Sequence, residues 1–389
     1  MGRTTPSVGA PPPSQRRDAR AKRAKQTANK DIPALLQSYP RARKGIDAAE
    51  LVVDPPPVTA QTISRHPDTG KPKTTSSSNE GDGGDIEGLT NQENEQSSPA
   101  IGLRCADTLQ VAAQLHQTAK ERKTKASSRI AILNMASPLR PGGGFFTGAT
   151  SQEESLCMRT TLYPSLREEF YRLPEVGGIY TPDVLVFRSH DPGAADFSKN
   201  ERFFVDVVTA GMLRFPEVDE DEDGNKSYAS GKDRDLVEQK MRAVLRIVRM
   251  KEVRKVVLGA WGCGAYGNPV GEVARCWKRV LLAEESKDRH SRKRQSMPVP
   301  EMWAGMEVVF AIKDRKMAEV FSQVFELEIE GDTGDDEGGG NEDEAEDEDV
   351  DGEKAKKIVE LEEQMARARS NVLRDRLKSI VDNLKQSDA

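Results

Sequence analysis

The chain predicts an α/β protein, a three-layer sandwich around a mixed sheet. Three observations carry that expectation. Between residues 101 and 327, short apolar runs rich in Val and Ile alternate with longer stretches of helical period. Two glycine-rich loops each follow one of those runs, where α/β sheets present their ligand sites. The flanking stretches are too polar to build a second core: of 389 residues, 36% are hydrophobic and 31% charged.

Residues 1–15 are rich in Pro and Ser and are expected to be disordered. Residues 16–54 read as a helical extension in three pieces, RRDARAKRAKQTA, IPALLQSYP and DAAELVV, ended by Pro55, Pro56 and Pro57. Residues 55–100 are a linker of Ser, Thr, Asn, Gly and Asp without periodicity. The core, 101–327, places strands at IGLRC (101), RIAILNMA (129), VLVFR (184), FFVDVVTA (203), KVVLGAW (255) and MEVVFAI (306). Helices are expected over 108–123, 151–171, 232–250, 271–283 and 315–325. An acidic insertion, 217–226, and a basic one, 287–295, read as solvated loops. Beyond the core come an acidic segment, 328–353, and an amphipathic helix, 354–387, which fits a short coiled coil and a lone helix equally.

Charge is unevenly distributed. Residues 326–353 hold 16 Asp or Glu and no Lys or Arg, and they turn a remainder of +10 into a net charge of −6. The rest of the chain is therefore basic, which suits a phosphate-rich partner. The basic clusters RRDARAKRAK and KDRHSRKRQ read either as nuclear-import signals or as solvated faces. Four cysteines (Cys105, Cys157, Cys263, Cys276) show no metal spacing, the four histidines form no cluster, no apolar run of membrane length is present, and no secretory leader is expected because Met1–Lys30 lacks an apolar h-region. An intracellular, soluble protein of the nucleus, the cytoplasm or both is expected, with no metal and no cofactor.

The first glycine loop is PGGGFFTGATSQEE, residues 141–154. Gly142, Gly143 and Gly144 can bring main-chain amides against a bulky anion, and Glu153 and Glu154 follow within reach. The loop lacks the GK[ST] ending of a nucleotide P-loop and the GxGxxG spacing of a dinucleotide fold. Its placement after the buried strand ILNMA distinguishes it from a plain turn. The second loop, AWGCGAYGNP at 260–269, follows KVVLG and precedes a helix. The pair would clamp a diphosphate from both sides; two structural turns would leave the same pattern.

At this point the stretch ILNMASPLRPGGGFFTGATSQEESLCMRTTLYPSL resembles the signature region of the microbial-type poly(ADP-ribose) glycohydrolases, macrodomain enzymes marked by GGG, a spacer of six to eight residues, and QEE; here the spacer is seven residues. The loop GAWGCGAYGNP is similar to the family's second ligand loop, and the likeness extends over about residues 16–327 less the insertions. The resemblance implies an α/β/α macrodomain with an N-terminal helical extension packed on it. The implied activity is hydrolysis of ribose–ribose bonds in poly(ADP-ribose), releasing ADP-ribose. It makes Glu154 the acid that protonates the leaving 2′-oxygen and Glu153 the holder of the distal ribose. Gly142, Gly143, Gly144, Gly262, Gly264, Ala265 and Gly267 would shape the ligand loops. Tyr266 stands where related enzymes often have Phe against that ribose, and Asn134 would bond the same sugar. Asp107 is placed like the acid that reads the adenine amino group in many macrodomains, although a helix cap at Thr108 explains it as well.

Side-chain direction favours one acid rather than a facing pair. Glycoside hydrolysis usually sets two carboxylates about 5–10 Å apart across the bond. Adjacent residues diverge by about 100° on a helix, so Glu153 and Glu154 divide the labour instead of facing each other. Cys157 has no histidine to activate it, Cys263 reads as a packing residue, His190 as a loop residue, and Ser155 lacks a nucleophile-elbow motif. Three other functions stay open. A non-catalytic ADP-ribose reader would need the glycine loops without Glu154, a mono-ADP-ribosyl-protein hydrolase would share the site, and a nucleic-acid binder would rest on basic charge alone. The acidic segment and C-terminal helix are candidates for binding a protein partner. No membrane partner or sequence-specific nucleic acid is expected.

Overall fold

A computed structural model describes residues 13–58, 98–121, 129–191, 193–222, 224–282, 301 and 303–330, together with 358, 365, 374, 378 and 381. Residues 1–12, most of the expected linker, the basic insertion, the acidic segment beyond Glu330 and most of the C-terminal helix lie outside the described residues.

The extension opens with α1 (Pro13–Gln26), runs through one turn of π-helix (Thr27–Asp31), and continues as α2 (Ile32–Ser38) and α3 (Pro40–Asp47). An eight-stranded sheet follows. Its strands are β1 (Glu50–Val53), β2 (Ala100–Arg104), β3 (Ile130–Ala136), β4 (Gly177–Val186), β5 (Phe203–Gly211), β8 (Lys255–Leu258), β9 (Glu307–Ala311) and β10 (Ile329–Glu330), in the order β1-β4-β5-β3-β8-β9-β2-β10. β1 and β4 run antiparallel to their neighbours, while β5, β3, β8, β9 and β2 pair in parallel. The helices between them are α4 (Thr108–Glu121), α5 (Gln152–Arg159), α6 (Gly231–Met250), α7 (Val270–Leu282) and α8 (Arg315–Phe325).

Strand alternation sorts the core into two layers of packing. Ala131, Leu133, Val256, Leu258, Val308 and Phe310 point to the face covered by α6, α7 and α8. Ile130, Ile132, Val207, Val257 and Val309 point to the other, beneath α4, α5 and Ala24 of α1. Because both faces are buried, the central strands read as continuous apolar runs rather than alternating ones. The architecture is the expected α/β/α sandwich with a mixed sheet.

Four local expectations are corrected. DAAELVV is not helical: α3 stops at Asp47, and Leu51, Val52 and Val53 pair with Ile179, Gly178 and Gly177 as an edge strand. β-branched residues with a partner strand available favour that outcome. The helix expected over 151–171 ends at Arg159, where Thr160 turns extended and bridges Val186. β4 starts at Gly177, well ahead of the apolar run that marked it. The acidic insertion carries a short hairpin, β6 (Val218–Glu220) with β7 (Lys226–Tyr228). Among the described residues no helix is long and apolar enough to cross a membrane.

Parallel pairing puts the C-terminal ends of β5, β3, β8, β9 and β2 on one edge of the sheet. Both glycine-rich loops leave from that edge.

Candidate active site

The site is built around the first turn of α5. Ser151 stands at the N-cap position in an extended conformation, so Gln152, Glu153 and Glu154 enter as the helix's first three residues. Gln152 is tied to β3: its Oε1 accepts from the Met135 N–H (2.9 Å) and its Nε2 donates to the Leu133 carbonyl (2.7 Å). β8 pairs with β3 only as far as Ile132, so the Gln152 amide supplies the ladder bonds that β8 leaves unmade. This docks the N-terminus of α5, with its favourable field for negative charge, at the end of β3.

Glu153 is 2% exposed and Glu154 6%. Glu153 accepts from the Ser137 N–H at 2.8 Å through Oε2. Its Oε1 and the Oδ1 of Asn134 are buried without a hydrogen-bond partner, while Asn134 Nδ2 donates to Thr209 Oγ1 at 3.2 Å. Glu154 accepts from the Gly144 N–H at 2.6 Å and from the Ser151 hydroxyl. Burial in the first place, and the charge of Glu154 next, push the Glu153 carboxyl well above the usual carboxylate range; the Ser137 N–H opposes them.

The glycines explain how two acids fit there. Gly143 has φ +53°, and a Cβ on it would lie 2.5 Å from Glu154 Oε1 and 3.0 Å from Glu153 Oε2. Gly142 has φ +69°, and a Cβ on it would meet the ring of Tyr163 at 3.1 Å. The two carboxylates approach one peptide and diverge only in their anchors, Ser137 for Glu153, Gly144 and Ser151 for Glu154. The expected division of the pair is thus a matter of anchors rather than of opposite faces.

The second loop differs in kind. Gly262 (φ +77°) is closed in by Asn268 and Met212, at 2.6 and 2.7 Å from a Cβ there, whereas Gly264 and Gly267 face open space. Asn268 is buried and ties the loop: its Nδ2 donates to the carbonyls of Leu213 (2.8 Å) and Gly262 (3.0 Å), and its Oδ1 accepts from the Tyr228 hydroxyl (2.9 Å). The Phe215 N–H, in a residue with φ +50°, donates to the Tyr266 carbonyl at 3.0 Å. Arg214 lies 5.8 Å from the ring centres of both Phe215 and Tyr266.

The structure therefore groups Asn134, Gly142, Gly143, Gly144, Glu153 and Glu154 at the end of β3. Gly262, Gly264, Ala265, Tyr266 and Gly267 follow the neighbouring strand β8. Asp107 follows β2, three strands from β3 in the sheet order, and its neighbour Thr108 accepts from Gln152 Nε2 at 3.2 Å. The Oδ1 of Asp107 accepts from the Leu109 N–H at 2.8 Å, a helix cap for α4. Sequence reasoning missed Gln152, Ser137, Thr209, Arg214, Phe215 and Asn268. Gln152 and Asn268 sat inside quoted motifs; the others carry no local signal. Among the described residues no group of three His, Cys, Asp or Glu side chains could hold a metal ion.

Comparison with known proteins matches residues 71–189 to the family described as microbial-type PARG, catalytic domain. The match spans the GGG…QEE motif and ends before the second glycine loop. No curated protein is matched. The structure is similar to the crystal structure of a poly(ADP-ribose) glycohydrolase from Thermomonospora curvata, with 21% identity over 79% of this chain and 100% of that one and a TM-score of 0.53. It is similar as well to the structure of a poly(ADP-ribose) glycohydrolase from that organism bound to the inhibitor ADP-HPD (21% identity, 79% and 99% covered, TM-score 0.51). At this level of identity the likeness establishes the fold.

Proposed function

We propose that this chain, whose residues 71–189 match the family of microbial-type PARG catalytic domains, hydrolyses the ribose–ribose bonds of poly(ADP-ribose) and releases ADP-ribose. The observation that carries the reading is the buried carboxylate of Glu154, held by the Gly144 N–H and the Ser151 hydroxyl at a helix N-terminus beside a second glycine loop. In this reading the distal ribose sits on Asn134 and Glu153, whose buried oxygens Oδ1 and Oε1 would exchange hydrogen bonds with the sugar hydroxyls. The diphosphate lies along the open backbone at Gly264 and Gly267. Two carboxyls this close hold a proton more tightly than either would alone. Glu154 passes a proton to the leaving 2′-oxygen as the C–O bond breaks and an oxocarbenium-like ribose forms. Its carboxylate then takes a proton from the attacking water, and the diphosphate stabilises the cation meanwhile. Asp107 can read the adenine amino group with the oxygen its cap leaves over. The enzyme acts as a soluble protein of the nucleus or cytoplasm, which imaging of a tagged chain would check.

The test is free ADP-ribose released from automodified polymer. Wild type should release it, and Glu154→Gln should lose about 10³-fold or more of that rate while binding ADP-ribose within a few fold. Undiminished release by the variant would remove Glu154 from the chemistry. Tight binding with no release by either protein would make the chain a reader. Release from mono-ADP-ribosylated protein alone would move the substrate to the protein link.

A further inference from the structure

The basic N-terminal helix lies against the catalytic loop rather than in solvent. From α1, Arg17 Nε donates to the Thr147 carbonyl (2.9 Å) and Arg20 Nε to the Gly148 carbonyl (2.7 Å). Helix and loop pass so closely that a Cβ on Gly148, at φ +82°, would sit 2.3 Å from the Arg17 carbonyl oxygen. The next links run inward. The N–H groups of Thr147 and Ala149 donate to the Gly144 carbonyl (3.0 and 3.2 Å), as does the Thr147 hydroxyl (2.9 Å). The Gly144 N–H in turn donates to Glu154 Oε1. A continuous run of hydrogen bonds thus joins two guanidiniums of the extension to one carboxylate.

The far end of α5 is held from the same extension. Arg188 Nη1 donates to the Met158 carbonyl (2.8 Å) and to the Thr27 hydroxyl (2.7 Å), while its Nη2 pairs with Asp31 at 2.6 Å. Arg23 donates to the carbonyls of Gly193 (2.8 Å) and Ala194 (2.5 Å) beside it. Residues of 13–31 thus bond the loop that leads into the helix bearing both acids and, through Arg188, its C-terminal end.

We infer that Arg17 and Arg20 are positioning residues for Glu154. They fix the 144–148 turn, and the turn fixes the peptide that orients the acid. Bonds from a charged donor are well suited to this, being shorter and stronger than neutral ones. The inference rests on the hydrolase reading of the site, and the experiment separates the two.

Full-length wild type, Arg17→Ala/Arg20→Ala, Arg17→Lys/Arg20→Lys and the control Arg41→Ala are compared. Arg41 belongs to the same extension but pairs with Asp183, which lies outside the site machinery. The double alanine variant should lose about 10- to 100-fold in kcat, with KM and ADP-ribose affinity within ~3-fold, because small misplacement of a catalytic group acts on the transition state. The lysine variant should recover part of the loss, and Arg41→Ala should keep wild-type kcat. Exchange of the Gly144 amide hydrogen should quicken in the double alanine variant and not in Arg41→Ala. Wild-type kcat in a folded double variant, or equal exchange in both, would overturn the inference. Absence of turnover in the wild type would instead strike the hydrolase reading, leaving the exchange measurement to judge the brace. If the double variant does not fold, Arg20→Ala is judged by the same criteria.

Discussion

The two glycine loops look alike in sequence and do different work. In the loop after β3, the space that a side chain would take at Gly143 is filled by the protein's own carboxylates. In the loop after β8, Gly262 is filled by Asn268 and Met212, but Gly264 and Gly267 border open space. One loop is shaped to receive its own acids; the other is tied down at one end and left open at the other. A glycine can thus make room for the protein's own carboxylates as well as leave space open.

The sharpest way to break that contrast is Gly143→Ala. The new methyl would lie 2.5 Å from Glu154 Oε1 and 3.0 Å from Glu153 Oε2 in a residue at φ +53°, so the acids must shift. Turnover should fall about 10²-fold, read as kcat on polymer, while a ligand-cradling glycine would lose affinity instead. In the second loop the same substitution should separate fold from binding. Gly262→Ala, at φ +77° and against Asn268, should lower stability by about 2 kcal/mol, or roughly 4–8 °C in Tm. Gly264→Ala meets nothing and should leave Tm within about 1 °C, yet weaken ADP-ribose about 10-fold by titration. An unchanged affinity would move the diphosphate away from this loop.

The smallest effect concerns pH. The folded Glu153 carboxyl holds its proton well above the ordinary carboxylate range because it is buried and lies beside Glu154. The folded state therefore binds more protons than the unfolded chain once pH passes the unfolded value, and stability falls as pH rises toward the folded one. Glu153→Gln removes that titration. Its Tm should gain on wild type as pH rises from the carboxylate range to neutrality and converge with it in acid. A parallel pair of curves would show Glu153 to be ordinary.

Much of this was legible in the residues. The strands ILNMA, FFVDVVTA, KVVLG and EVVFA announce themselves because both faces are buried, and the motif GGG with QEE carries the family resemblance that implies the chemistry. The edge strand at Leu51, Val52 and Val53 was not legible. Its four residues are too few for a period, and their pairing with Gly177, Gly178 and Ile179 is a long-range choice. The role of Asp107 was half legible, since a cap and a ligand group share one residue type.

The sequence by itself determined the layer order, the sheet edge that carries the site and the two acids at the start of α5, because those follow from local periodicity and from chain direction in parallel strands. Only the tertiary structure decided that both acids converge on Gly143, that Gln152 completes the β3 ladder, and that basic α1 braces the catalytic turn. Each of these is a close approach between distant segments; Arg17 and Thr147 stand 130 residues apart in sequence. Hydrogen bonds of that span leave no period and no spacing to read, and they become visible only once the chain has closed around them.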